Sequence, residues 1–251
     1  KVLGIKGHNL NRVRRFLRFF YQSFDRVLVL NSDQKKWLTG SQMNLCQEQV
    51  HQTAHWVNSR FSQRPATKAE TFGTDPDKPV LLYAGRISHE KGVMDLPQVY
   101  RQVEAACGTI EMVIVGKGPA LDELKKELPE ATYIGWVPQD KLPDIYASAD
   151  LLLLPSRFDT FCNVVLESLS CGLPVIAYNC KGPKDILLDG ECGYLVENKN
   201  EMANRAIRYL AKENKQPFRT AAIRRAGNYE AKTILADLMR SIGIAYDREK
   251  E

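Results

Sequence analysis

From Pro79 onward, short apolar runs alternate with amphipathic stretches, and this alternation constrains the fold more than any other feature. The runs are Val80–Ala84, Glu111–Val115, Thr132–Ile134, Leu151–Leu154 and Pro174–Ala177. Helical patterns separate them, over Asp95–Ala106, Ala120–Leu128, Asp140–Ser148 and Val164–Cys171. Strands alternating with helices predict right-handed βαβ units on one parallel sheet. The runs are continuously apolar, as a sheet covered on both faces requires. The predicted class is therefore α/β, a Rossmann-like parallel sheet with helices on both faces. Such sheets bind ligands outside the carboxyl ends of their strands, so the loops after the strands carry the chemistry.

The first 78 residues are less regular. Val2–Lys6 reads as a short strand and Val27–Leu30 as a buried one. Between them Val13, Phe16, Leu17, Phe20 and Phe24 recur at helical spacing, with Arg14, Arg15, Arg18 and Gln22 on other faces. Asn31 or Ser32 caps a helix running through Trp37. Residues 58–79 lack periodicity and look like a linker. The chain thus divides into residues 1–60, a linker at 61–78, a main domain at 79–235 and a terminal helix or tail at 236–251. Lys1 is not Met, and no signal peptide follows it, so a fragment or processed product is expected.

Charge and cysteines narrow the function classes. Residues 1–36 hold nine Lys/Arg against two Asp/Glu, or +7, so the rest of the chain carries −2 of the overall +5. Local basicity of this kind argues against a nucleic-acid binder. The basic stretch Arg12–Phe24 has two readings: peripheral docking on anionic lipid, or a packed helix with a solvated Arg face, which is preferred. The six Cys form no CxxC or zinc pattern, which points to free thiols in a reducing cytoplasm.

Three strand-end loops stand out. Val80–Ala84 leads into Gly85-Arg86-Ile87-Ser88-His89-Glu90-Lys91-Gly92, where Arg86 and Lys91 suit a diphosphate; a solvated charged loop is the plain alternative. Glu111–Val115 leads into Gly116-Lys117-Gly118, which lacks the third Gly of a dinucleotide fingerprint. It suits close backbone approach to a ligand or a tight turn. Gly135-Trp136-Val137-Pro138 can offer backbone groups to a base, with the Trp136 side chain read as a packing anchor.

The fourth loop is the richest. Leu151–Leu154 is followed by Pro155 to Asn163 and then an apolar helix containing Glu167. Amides at that helix start can hold an anion, and Asp159 and Glu167 can border one pocket. A carboxylate in an apolar helix needs a partner; a ribose diol supplies one, and an internal partner is the alternative. Lys181-Gly182-Pro183-Lys184-Asp185 either lines a sugar pocket or forms a plain turn. His51 and His55 lack a third metal ligand, and Asp75-Pro76-Asp77 reads as a turn. No metal or cofactor is expected.

These blocks, taken in order, resemble the retaining GT-B glycosyltransferases of family 4, or group 1. The resemblance runs from Pro79 to about Gly193 and rests on Tyr83-Ala84-Gly85-Arg86 through Lys91-Gly92, Val115-Gly116-Lys117-Gly118-Pro119, Gly135-Trp136-Val137-Pro138, and Pro155-Ser156 through Glu167 into Pro174. It implies a donor-binding domain of GT-B type, with residues 1–60 the remnant of a second, acceptor-binding Rossmann-like domain. It implies that Arg86 and Lys91 hold the donor diphosphate, that Glu167 holds the ribose, and that Asp159 and His8 sit near the transferred sugar. Gly85, Gly116, Gly118, Trp136, Val137, Phe161, Cys162, Asn163 and Val164 would complete the donor site. Asp159 and Cys162 depart from the commoner Glu and Gly of the family's motif.

The implied reaction is metal-independent transfer of a sugar from a UDP- or GDP-sugar to an acceptor glycan, lipid or small molecule, with retention. The setting implied is cell-envelope polysaccharide or glycolipid synthesis. A nucleotide-sugar epimerase of the same fold and a non-catalytic nucleotide-sugar-binding domain are the alternatives. A dinucleotide oxidoreductase is disfavoured by the incomplete glycine fingerprint.

Overall fold

The computed structural model describes residues 8–244, with side chains from Leu10 on. The expected strand at Val2–Lys6 lies outside the described residues. The chain forms two compact units: residues up to His55 together with those from Ala231 on, and Trp56–Glu230.

The first unit begins with helix α1 (His8–Gln22), strand β1 (Val27–Val29), helix α2 (Ser32–Thr39) and strand β2 (Val50–Gln52). Strands β1 and β2 pair in parallel. Asn31 caps α2 as expected, accepting a hydrogen bond from the Gln34 amide. Leu17 and Tyr21 of α1 pack on a core of Val27, Val29, Leu38, Met43, Leu45 and Val50. Of the expected apolar face, Phe16, Phe20 and Phe24 are exposed, as is Phe19. The packed stripe of α1 is the partly buried i, i+4 pair Leu17 and Tyr21.

The second unit holds helix α3 (Lys68–Phe72), β3 (Val80–Ala84), α4 (Leu96–Cys107), β4 (Glu111–Val115), α5 (Leu121–Glu127), β5 (Thr132–Gly135) and α6 (Leu142–Ser148). It continues with β6 (Leu151–Leu154), α7 (Asn163–Ser170), β7 (Val175–Tyr178), α8 (Pro183–Ile186), β8 (Gly193–Val196), α9 (Lys199–Leu210) and α10 (Gln216–Gly227). Its six strands form one sheet in the order β5-β4-β3-β6-β7-β8, and every pairing is parallel. The strand order reverses between β3 and β6, which opens a crevice at their carboxyl ends.

Both faces of this sheet are dry. Leu81, Tyr83, Met112, Ile114, Leu151, Leu153 and Ile176 pack with apolar residues of α4, α5 and α9. The intervening Leu82, Val113, Leu152, Val175 and Ala177 are equally buried and point to the opposite side. The continuous apolar runs of the sequence are therefore explained by burial on two faces. Strand β8 begins with Gly193, which leaves only Tyr194, Leu195 and Val196 as its apolar run. Gly193 is required there, because a Cβ would stand 2.0 Å from the Val175 carbonyl oxygen.

Residues 61–78, expected as a linker, carry α3. Thr67 caps it: its hydroxyl accepts the Glu70 amide and donates to the Glu70 carboxylate, a side-chain variant of the Thr-x-x-Glu box. Lys68 then reaches Asp150 at 2.8 Å, and the same carboxylate oxygen accepts the Val80 amide at 2.7 Å. Asp150→Ala strips two partners from the start of β3 and is expected to cost about 1.5–3 kcal/mol. Urea unfolding measures this, and a loss under about 0.5 kcal/mol would show the clasp to be idle. Asp75-Pro76-Asp77 is a turn as expected, with the Asp75 carboxylate accepting the Asp77 amide.

Helix α11 (Ala231–Ser241) closes the chain and belongs to the first unit. Its Asp237 binds His51 of β2 at 2.8 Å, and its Ser241 carbonyl accepts from Arg26. His51 thus has a structural partner within its own unit. Among the described residues, no helix is long and apolar enough to cross a membrane.

Candidate active site

The loops after β3, β4 and β6 pack on one another through backbone. A Cβ on Gly116 would lie 1.9 Å from the Gly85 carbonyl oxygen, one on Gly118 2.0 Å from that of Ile87, and one on Gly92 2.0 Å from that of Pro155. Gly92 and Gly116 also have φ of 68° and 134°, where a side chain is strained. The Gly-Lys-Gly turn therefore brings backbone close to neighbouring backbone. The sequence suits close approach to a ligand or a tight turn; the approach the structure shows is that of Gly116 and Gly118 to the β3 loop.

That loop is held firmly. The Tyr83 hydroxyl donates to the Arg86 carbonyl at 2.7 Å, and the Ile87 amide donates to the Lys117 carbonyl at 3.0 Å. Burial first, then the neighbouring Cys162 and Asp159, push the Tyr83 phenol well above its ordinary range, so it stays a donor.

A cavity of about 590 Å³ opens over the ends of these strands. Gly85, Arg86, Gly116, Trp136, Val137, Val164 and Glu167 line it, joined by Lys117, Gln139, Leu142 and Tyr146. Arg86 and Lys117 are both exposed, and neither side chain has an ion-pair partner among the described residues. Trp136 is 67% exposed rather than a packing anchor. It follows Gly135 (φ 80°) at the end of the edge strand, where the chain turns away from the sheet.

Glu167 sits on the α7 face toward α6. Its carboxylate accepts the Tyr146 hydroxyl at 3.0 Å. Burial lifts its pKa above the ordinary carboxylate value, and the Tyr146 bond opposes that rise. Its half-buried carboxylate therefore has an internal partner already. Tyr146 occupies an apolar position of a helical pattern and reads as core. The only hint of this pairing was the carboxylate in an apolar helix.

Asp159 and Lys91 are brought together across 68 residues, as an ion pair at 2.8 Å. Neither lines the cavity, so Asp159 and Glu167 do not share its wall. Cys162 has φ 74°, a left-handed conformation that suits Gly, and it forms the N-cap of α7. Its buried thiol is raised well above its ordinary value by burial and then by the Asp159 carboxylate. Phe161 is buried edge-on against Tyr229 at 6.1 Å. A Cβ on Gly182 would stand 2.7 Å from the Phe161 carbonyl, so the turn before α8 buttresses the Asp159 loop. Asn163, the first residue of α7, is exposed. The side chain of His8 lies outside the described residues. Among those residues no group of three His, Cys, Asp or Glu could hold a metal ion.

A second network fixes the same rim. Asp95 accepts Arg157 at 2.9 Å and the Tyr178 hydroxyl at 2.7 Å, and the Arg157 guanidinium lies over the Tyr178 ring. It ties the loop that carries Asp159 to β7 and to the start of α4. No sequence pattern linked these three residues.

Comparison with known proteins gives a consistent result. The chain is 30% identical over 176 residues to alpha-D-kanosaminyltransferase of Streptomyces kanamyceticus, covering 65% of this chain and 45% of that one. It is 34% identical over 149 residues to a GDP-mannose-dependent alpha-mannosyltransferase of Mycobacterium tuberculosis, covering 59% and 38%. The chain therefore spans less than half the length of these relatives. Among solved structures, Anabaena HepE in complex with UDP superposes with a TM-score of 0.79 at 18% identity, over 94% of this chain and 68% of that one. The fold is of GT-B type. Residues 66–228 match the profile of the glycosyl transferases group 1, and the chain belongs to that family.

Proposed function

We propose that this chain carries the donor site of a transferase that moves a sugar from a UDP- or GDP-sugar to an acceptor hydroxyl, with retention and without a divalent metal. The supporting observation is a single cavity at the reversal of strand order, with Arg86, unpaired among the described residues, on one wall and the half-buried carboxylate of Glu167 on another. A nucleoside diphosphate carries a complement to each: an anion for Arg86 and a diol for Glu167. One relative is GDP-mannose-dependent and one structural neighbour was solved with UDP, which supports the donor class.

In this reading the ribose meets Glu167, the base lies toward Trp136 and Val137, and the diphosphate runs to Arg86 and the start of α7. Lys91 exchanges part of its contact with Asp159 for the phosphate, which leaves Asp159 to meet a hydroxyl of the sugar. Catalysis is then positioning plus electrostatic stabilisation of the departing diphosphate. The acceptor is a glycan, a lipid or a small molecule.

The test is binding. At a hundredfold excess over Kd, a ligand stabilises its site by about 2.7 kcal/mol, which raises Tm by roughly 5–10 °C in a chain of this size. UDP, GDP, ADP and their glucose or mannose conjugates form the panel. No shift with any of them at millimolar concentration would overturn the reading. With the full-length protein, donor consumed only when acceptor is present separates transfer from epimerisation. The anomeric configuration of the product tests retention.

A further inference from the structure

We infer that Tyr146 is the positioning residue that makes the cavity select a ribonucleotide over its deoxy counterparts. This rests on the donor reading above. Helix α6 presents Leu142 and Tyr146, one turn apart, to the cavity. The Tyr146 ring is 1% exposed and lies 6.1 Å from the Phe61 ring, which fixes its plane. Its hydroxyl therefore has one place to go, the Oε2 atom of Glu167 at 3.0 Å.

That bond does two things. It occupies one carboxylate oxygen, so the Oε1 atom is left for a ligand. It also fixes the rotation of the carboxylate, so that a diol meets a preset acceptor. The Tyr146 phenol is held well above its ordinary value by burial and then by the Glu167 charge. It cannot ionise in the working range, and it donates at all times. Without it, a half-buried carboxylate would be turned by whatever donor was nearest and would lose its preference for a diol.

The experiment is calorimetric titration of the chain with UDP and GDP and with their 2′-deoxy and 3′-deoxy forms. Wild type is expected to prefer the ribonucleotide by about tenfold, the value of one hydrogen bond to a charged group. Tyr146→Phe is expected to weaken the ribonucleotide five- to tenfold and leave the deoxy forms within twofold, so that the preference collapses. In Glu167→Gln, adding Tyr146→Phe should change the preference no further. This double variant leaves no unpaired charge and carries the test if Tyr146→Phe alone does not fold. Equal weakening of ribo and deoxy forms by Tyr146→Phe would mean a structural role and would overturn the inference. So would an undiminished preference in Tyr146→Phe, or a further ribose-specific loss in the double variant. Absence of binding by wild type would instead bring down the donor reading itself, and this inference with it.

Discussion

Replacing Arg86 by Ala in the full-length protein is expected to lower kcat by about 100-fold or more. The reason is geometric. Arg86 follows Gly85 at the end of β3, and its own carbonyl is held by Tyr83 at 2.7 Å. Its backbone cannot drift, so its guanidinium is delivered to the cavity wall from a fixed origin. No carboxylate among the described residues competes for it. In the proposed reaction its charge is therefore available to a diphosphate that gains negative charge as the sugar departs. Lys91 differs, because it is already bound to Asp159 at 2.8 Å. Lys91→Ala is expected to cost a comparable factor and also to free the Asp159 carboxylate. Arg86→Lys should recover only part of the loss, since a point charge lacks the bidentate fork. Saturating-donor kinetics on both Ala variants, with melting temperature as a folding control, measure this. Near wild-type turnover in both would remove them from the mechanism.

Glu167→Gln should separate binding from stability. Nucleotide affinity is expected to fall about 10- to 100-fold, because a hydrogen bond to a charged acceptor is lost. The effect on the ligand-free chain has the opposite sign. Burial raises the folded-state pKa of Glu167 above its ordinary value of 4.5, so folding favours the protonated form. The stability linked to this group is present below about 4.5 and is lost as pH rises through the folded value. Gln does not titrate and loses nothing. Compared by urea unfolding across pH, the variant should gain on wild type as pH rises from 4.5 and hold that gain at neutrality. The Tyr146 bond limits the size of the gain. A variant less stable than wild type at neutral pH and equal to it in acid would reverse the sign and sink this account. Under the proposed function the conflict is that of a ligand-binding group held where it costs stability.

Gly116 and Gly118 show how a residue can be legible while its reason is not. Their spacing after β4 announces a close approach, but the partners are the carbonyls of Gly85 and Ile87. Thr67-x-x-Glu70 likewise states a helix start, yet five residues of helix are too few to give a periodic signal. Cys162 was recognisable as standing where Gly is usual, and its φ of 74° gives the cause.

The sequence by itself determined the class of fold. Strands β3, β4 and β6 are legible to the residue because a strand buried on both faces is apolar along its buried length, with only the half-buried Glu111 at the start of β4 polar. It also determined that Arg86 lies just past the end of β3 and that Glu167 lies in the helix entered from the loop after β6, since each loop follows a run that can only be a core strand. What only the tertiary structure decided is who meets whom. Tyr146 finds Glu167, Lys91 finds Asp159, and Arg157 and Tyr178 find Asp95, in each case across a change of strand. Those meetings follow from the order β5-β4-β3-β6-β7-β8. Periodicity records only which way a side chain faces, and it carries no term for which strand lies alongside.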